Sequence, residues 1–313
     1  MTKLFFATDI HGSERCWKKF INVPKVHSVD AIVLGGDITG KMVVPIIHHE
    51  DGKITYYLFG RVSTVKPDGV KEAAGKILDY GYYPYECDVS EVEGLQKDQK
   101  KRDRLFIELT RNGISRWLKM AEERKKSNVS IYVCTGNDDT PAINDILKSS
   151  SAVTYCDDRC VELDDLHEMV SCSYSNLTPW KTPKELPEEK LQEELEKLIE
   201  KASRKEHLIC NFHPPPHNSG LDIAPELDEQ LRQVATPTGQ RTIPVGSKAV
   251  RNVIEKYQPL LGLHGHIHEC SGTRKIGRTL CVNPGSEYGE GYLRGYIVEL
   301  GPEGIVNHYR VYG

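Results

Sequence analysis

No stretch of this 313-residue chain approaches the ~18 consecutive apolar residues of a membrane-crossing helix, so no membrane partner is expected. The opening MTKLFFATDIHGSE has one lysine and a short apolar run that Asp9 cuts off, too short for the core of a signal peptide. The nine cysteines form no Cys-x-x-Cys pair; Cys156 and Cys160 come nearest, with three residues between them. An odd, scattered set reads as reduced thiols in a cytoplasm, with Cys134, Cys210 and Cys281 as strand fillers. Excess positive charge is missing too. Lys and Arg number 41 against 45 Asp and Glu, a net charge of −4, which gives no general pull toward nucleic acid or anionic lipid. Neither internal repeats nor low-complexity tracts occur. With 38% hydrophobic and 27% charged residues the chain is globular, and its length suits one large domain over 1–313.

What the chain does have is a set of apolar runs that all stop at polar clusters. The clusters are Asp9-Ile10-His11, Gly35-Gly36-Asp37, Gly136-Asn137-Asp138-Asp139, His213 before three prolines, and Gly265-His266-Ile267-His268. The segments LFFATDI (4–10) and AIVLGGDI (31–38) read as buried parallel-type strands. SERCWKKFINVPKV between them is long enough for a crossover helix capped by Ser13, so the class is α/β. In an open α/β sheet, chemistry collects at the carboxyl ends of the strands.

The pattern breaks after Asp37. Residues 43–65 alternate like strands, with a hairpin turn at Asp51-Gly52, and 66–95 show prolines, tyrosines and no strand period. Residues 41–95 are therefore read as a β-rich insertion, or cap, leaning over the rim. Helices are expected over about 98–127, at Pro141–Leu147, over 187–207 and over about 246–257; shorter strands are expected within 152–175 and in the tail.

Taken singly each cluster is weak; in order and in context they are specific. From Asp9 to His268 the clusters resemble the D-x-H, G-D, G-N-H-[DE], lone H, G-H-x-H pattern of the calcineurin-like metallophosphoesterase family, and the later Asn283-Pro284-Gly285-Ser286 is similar to a segment that follows the last motif in several members. The resemblance implies a four-layer αββα sandwich with two divalent metal ions at the sheet rim. It also implies that Asp9, His11 and His268 hold one metal, that Asn137, His213 and His266 hold the other, and that Asp37 bridges both. A hydroxide held between the metals would then attack phosphorus in line, with Asn137 helping to offset the developing charge. Imidazole and carboxylate donors suit manganese first, with iron, zinc and magnesium also compatible.

The chain departs from the family at Asp138, where the usual residue is a histidine that aids leaving-group departure. A carboxylate there is anionic at neutral pH and repels a dianionic monoester more than a monoanionic diester. Raised by its neighbours, it could instead act as a general acid. Asp139 is expected to orient a ligand histidine. His264 is expected to be structural, and His217 to be a loop residue that could donate a proton. The reading that follows is a metal-dependent phosphodiesterase acting on a small-molecule or nucleotide phosphoester. Alternatives are a phosphomonoesterase or protein phosphatase, a nuclease, and a non-catalytic interaction scaffold. Nucleic acid is not the favoured partner, and the sequence carries no signal for an oligomeric state.

Overall fold

The computed structural model describes residues 1–124, 129–237 and 239–313. Two six-stranded sheets face each other. The first runs, edge to edge, Gly304–Tyr312, Arg294–Gly301, Thr2–Ala7, Ala31–Leu34, Ser130–Val133 and Thr154–Tyr155. The second runs Gly272–Ile276, Thr279–Asn283, Leu261–Leu263, Leu208–Phe212, Glu168–Cys172 and Cys160–Glu162. Each has a parallel centre: the four strands from Thr2 to Tyr155 in the first, and the four from Glu168 to Asn283 in the second.

Side chains alternate across a strand, so one strand feeds two layers. Leu4 and Phe6 point into the space between the sheets, where they meet Met169, Ile209, Leu261, Leu263 and Val282. Phe5 and Ala7 point outward to Trp17, Phe20, Ile114 and Trp117 on helices. On the far side, Val170, Cys210 and Phe212 pack against Leu191, Leu195, Val250 and Val253 of the helices Glu188–Glu200 and Lys248–Tyr257. The result is the αββα sandwich, and its central strands read as unbroken apolar runs because both their faces are covered. All nine cysteines are unpaired. Among the described residues no helix is long and apolar enough to cross a membrane.

Local chemistry adjusts the expected elements. Ser13 caps its helix, accepting from Cys16 N at 3.3 Å, but the crossover is two helices, Glu14–Phe20 and Val23–His27. Pro24 lacks an N–H and restricts the residue before it, so it starts a new helix instead of continuing the old one. The helix expected to reach residue 207 stops at Glu200. The backbone N–H groups of Ser203 and Arg204 go instead to the Glu168 carboxylate, each at 2.8 Å. The charged stretch expected over 98–127 is helical over Gln99–Arg124, and its last residues lie outside the described ones.

Residues 43–88 form a third sheet, in the order Arg61–Val65, Ile54–Leu58, Val43–His48, Tyr83–Asp88. A helix, Val70–Asp79, packs on it through Val70 and Ile77 against Val44, Ile46 and Ile54. The turn at Asp51-Gly52 is present, with Gly52 at φ 80°. The stretch that lacked a strand period therefore holds the helix Val70–Asp79, the strand Tyr83–Asp88 and the start of a second helix, Val89–Lys97. Pro84 hides that strand, and it is tolerated because the strand lies at the sheet's edge. This third sheet docks beside the first metal-motif loop: Ser13 Oγ donates to Asp79 O at 2.7 Å, and the Tyr83 hydroxyl accepts from Gly40 N at 2.8 Å.

Candidate metal centre

Five strands end at one rim, after Ala7, Leu34, Val133, Phe212 and Leu263, and the polar clusters sit in the loops that follow. These loops bring together two groups of side chains able to hold an ion, with donor atoms within 4.8 Å of one another. One is Asp9, His11 and His268; the other is Asp37, His213 and His266. A third grouping, His11, Asp37 and Asp138, overlaps both. Asp37 Oδ2 lies 3.7 Å from His11 Nε2 and 3.4 Å from His213 Nε2, so it faces both groups. Asp9 Oδ1 lies 3.4 Å from His268 Nε2 and 3.8 Å from His213 Nε2. The His11 and His268 Nε2 atoms are 3.1 Å apart.

The backbone at these positions is unusual. Asp9, His11, Asp37 and His266 all have positive φ, at 53°, 37°, 47° and 66°. Left-handed backbone is uncommon for non-glycine residues and costs on the order of 1–3 kcal/mol each. Two motif glycines make room for the carboxylates: a Cβ on Gly136 would run into Asp37 Oδ1, and one on Gly265 into Asp9 Oδ2.

Solved structures share this architecture. One aligns with TM-score 0.54 at 16% identity, over 100% of this chain and 98% of that chain. TT1561 of Thermus thermophilus aligns with TM-score 0.53 at 14% identity, with the same coverage. The chain shares its αββα sandwich with both. No protein-family model matches it. Among curated proteins, the uncharacterized protein MJ1162 of Methanocaldococcus jannaschii is 33% identical over 158 residues, which is 50% of this chain; the chain spans 64% of that relative's length.

At the rim of this sandwich, the gathered side chains pass a test of fit to metals. Asn137 is 2% exposed and donates from Nδ2 to Thr182 Oγ1 at 2.8 Å, while its Oδ1 is buried with no partner. His213 is fully buried with both ring nitrogens unpartnered, and His11 Nδ1 is likewise unpartnered. Buried polar atoms without hydrogen-bond partners are costly, and the imidazoles among them face the carboxylates of Asp9, Asp37 and Asp138, which is what a bound cation would relieve. Charge coupling agrees. Burial works to raise Asp9 and Asp37, yet His213 and its neighbours hold both well below the usual carboxylate range. Burial works against a charged His213, yet Asp37 and Asp9 lift it to about 9; burial first, then the charge of His213, takes His266 down to about 4.

Two expectations change here. Asp139 does not orient a histidine. Its Oδ2 accepts from Ile38 N (3.0 Å) and Gly136 N (2.8 Å), and its Oδ1 from Thr39 N (2.8 Å) and Thr39 Oγ1 (2.6 Å). It braces the Asp37 loop to the Asn137 loop, and burial pushes its pKa up to about 6. Asp138 is not a bare carboxylate either, because Lys41 Nζ lies 2.8 Å from its Oδ2. Burial first, then Asp37, raises its pKa. His264 is buried, with Nδ1 at 2.8 Å from Phe212 O, in keeping with a structural role. His217 sits 3.8 Å from Asp222.

Sequence reasoning missed the residues that hold the donors. Glu185 fixes the loop carrying Thr182, accepting from Thr182 N (2.8 Å) and Oγ1 (2.7 Å) and from Thr178 N (3.0 Å). Lys184 N donates to Asn137 O at 3.1 Å, so this loop grips Asn137 by backbone and side chain. Asn283 Nδ2 donates to Leu221 O, Gly265 O and Ile267 O at 3.2, 3.3 and 3.1 Å. Ser286 Oγ donates to Asp9 O at 2.6 Å. Those last two belong to the Asn283–Ser286 segment that the motif pattern had flagged without a role. Tyr288 stacks its ring 4.8 Å from that of His11.

Proposed function

We propose that this chain is a metal-dependent phosphoester hydrolase, acting first on phosphodiesters of small molecules or nucleotides. One observation carries the reading: six side chains from four separate strand ends meet at one rim in two groups, Asp37 faces both, and Asn137 follows the fifth strand end in the adjoining loop. In this reading Asp9, His11 and His268 hold one divalent cation, Asn137 Oδ1, His213 and His266 the other, and Asp37 spans both. When bound, two such cations polarise phosphoryl oxygens and lower the pKa of a water; manganese is the first to test.

The residues do the rest. Asn137 presents a carbonyl oxygen because Thr182 occupies its amide N–H. Asp139 holds the Asp37 and Asn137 loops at fixed spacing, so the donors are set in place before a substrate arrives. Position 138 offers no imidazole to protonate a leaving group, which favours esters whose leaving group needs little help. The scaffold alternative sits poorly with seven donors retained and gathered. The nuclease alternative wants a basic groove with stacking rings. The cation-lined depression of about 720 Å³, at Arg15, Lys18, Lys19, Lys25 and Arg124, has no aromatic side chain in its lining and none of the metal-motif residues.

A manganese-supplemented panel of bis-nitrophenyl phosphate, nitrophenyl phosphate, cyclic nucleotides, nucleotide anhydrides and head-group diesters tests the proposal. Diester turnover that disappears in Asp37→Asn is the expected result. A purified protein that retains no manganese, iron or zinc and cleaves none of the panel would overturn it.

A further inference from the structure

The residue beside the donor cluster that no motif accounts for is Lys41. It follows the Gly-Asp motif by four positions, and the loop carries its side chain back over the rim. Its ammonium lies 2.8 Å from Asp138 Oδ2, and Asp138 is in turn fixed in two ways. Asp138 N donates to Asp37 Oδ1 at 3.0 Å, and Asp138 Oδ2 lies 4.0 Å from His11 Nδ1. The cation is therefore held at the mouth of the donor cluster by a residue pinned to its central carboxylate. An ammonium has three donors, and Asp138 is its one ion-pair partner among the described residues. The Lys41 side chain is 44% exposed and that of Asp138 24%, so the pair meets solvent.

We propose that Lys41, held by Asp138, grips a non-bridging oxygen of the phosphoryl group. The inference rests on the phosphoesterase reading and adds its substrate-holding cation. The pair is neutral as a unit, as an uncharged imidazole would be, so Asp138 does not confront the phosphate with an unbalanced negative charge. Asp138 is then a positioning residue, and Lys41 is the group that touches substrate. Position 41 also opens the insertion, so the sheet that begins at Val43 sets where the ammonium sits.

The test is calorimetric titration of inorganic phosphate into the manganese-loaded protein, beside metal content and the KM for bis-nitrophenyl phosphate. Lys41→Met is expected to keep its metals and to weaken phosphate binding by about tenfold to a hundredfold, the worth of one charge-assisted hydrogen bond. KM should rise with it, and Lys41→Arg should restore most of the phosphate affinity. Phosphate affinity unchanged in Lys41→Met, in a wild type that cleaves esters, overturns the clamp and leaves the hydrolase standing. A metal-loaded wild type that neither binds phosphate nor cleaves any ester overturns both.

Discussion

The two sheets meet the same rim with opposite chemistry. The first places Asp9, His11, Asp37 and Asn137 after its strands, mostly oxygen-bearing side chains; the second places His213, His266 and His268, all imidazoles. Their loops are braced with opposite polarity as well. In the first, a buried carboxylate, Asp139, collects surplus N–H groups from Gly136, Ile38 and Thr39. In the second, the buried amide of Asn283 gives its N–H groups to surplus carbonyls at Leu221, Gly265 and Ile267, and takes one N–H from Gly285 at 2.8 Å. A strand that ends inside a protein leaves backbone groups unpaired, and whichever kind is left over selects the residue that answers it. Each candidate metal group draws on both sheets, so the donors join across the seam what the apolar core joins below it.

That contrast can be broken by exchanging the braces. Asn283→Asp sets a carboxylate against three carbonyls and should destabilise by about 3–5 kcal/mol, as an uncompensated buried charge does. Asp139→Asn turns an amide N–H toward backbone donors and should cost less, about 1–3 kcal/mol. Chemical denaturation measures both, and equal tolerance of both swaps would void the polarity argument. Chelation sharpens the seam: at metal a hundredfold above its dissociation constant, stripping should remove about 2.7 kcal/mol. Hydrogen exchange should then rise in the loops of both sheets together, whereas a response confined to one sheet would mean the donors do not join them. Thr182→Val frees the Asn137 amide to turn and should weaken metal affinity by about 10- to 100-fold, read by competition with a chelating dye. The smallest effect belongs outside the seam. Asp88 caps the helix Val89–Lys97 and exchanges bonds with Glu91, so Asp88→Ala should cost about 1 kcal/mol with metal content unchanged.

The donors were legible in the sequence because buried parallel strands are continuous apolar runs, and a run that stops at Asp or His announces a rim residue. Their supports were not. Thr182 meets Asn137 across 45 positions, and Asp139 meets Thr39 across 100, with no local pattern to couple them. Lys41 reads as one more surface lysine until the fold lays it on Asp138, which is why the carboxylate was taken as bare. The insertion's helix and edge strand were obscured by Gly69, Gly75 and Pro84, although the Asp88-x-x-Glu91 capping signature was available and marks a helix start there.

The left-handed turns at Asp9, His11, Asp37 and His266 set the chain's conformational ease against its chemistry. At each of them glycine would fit more comfortably, while deleting the donor. A descendant released from hydrolysis should therefore drift toward Gly at these four positions, becoming sturdier as it falls silent. The persistence of Asp and His in such uncomfortable backbone is a mark of use that can be looked for in any chain of this shape, before a single assay is run.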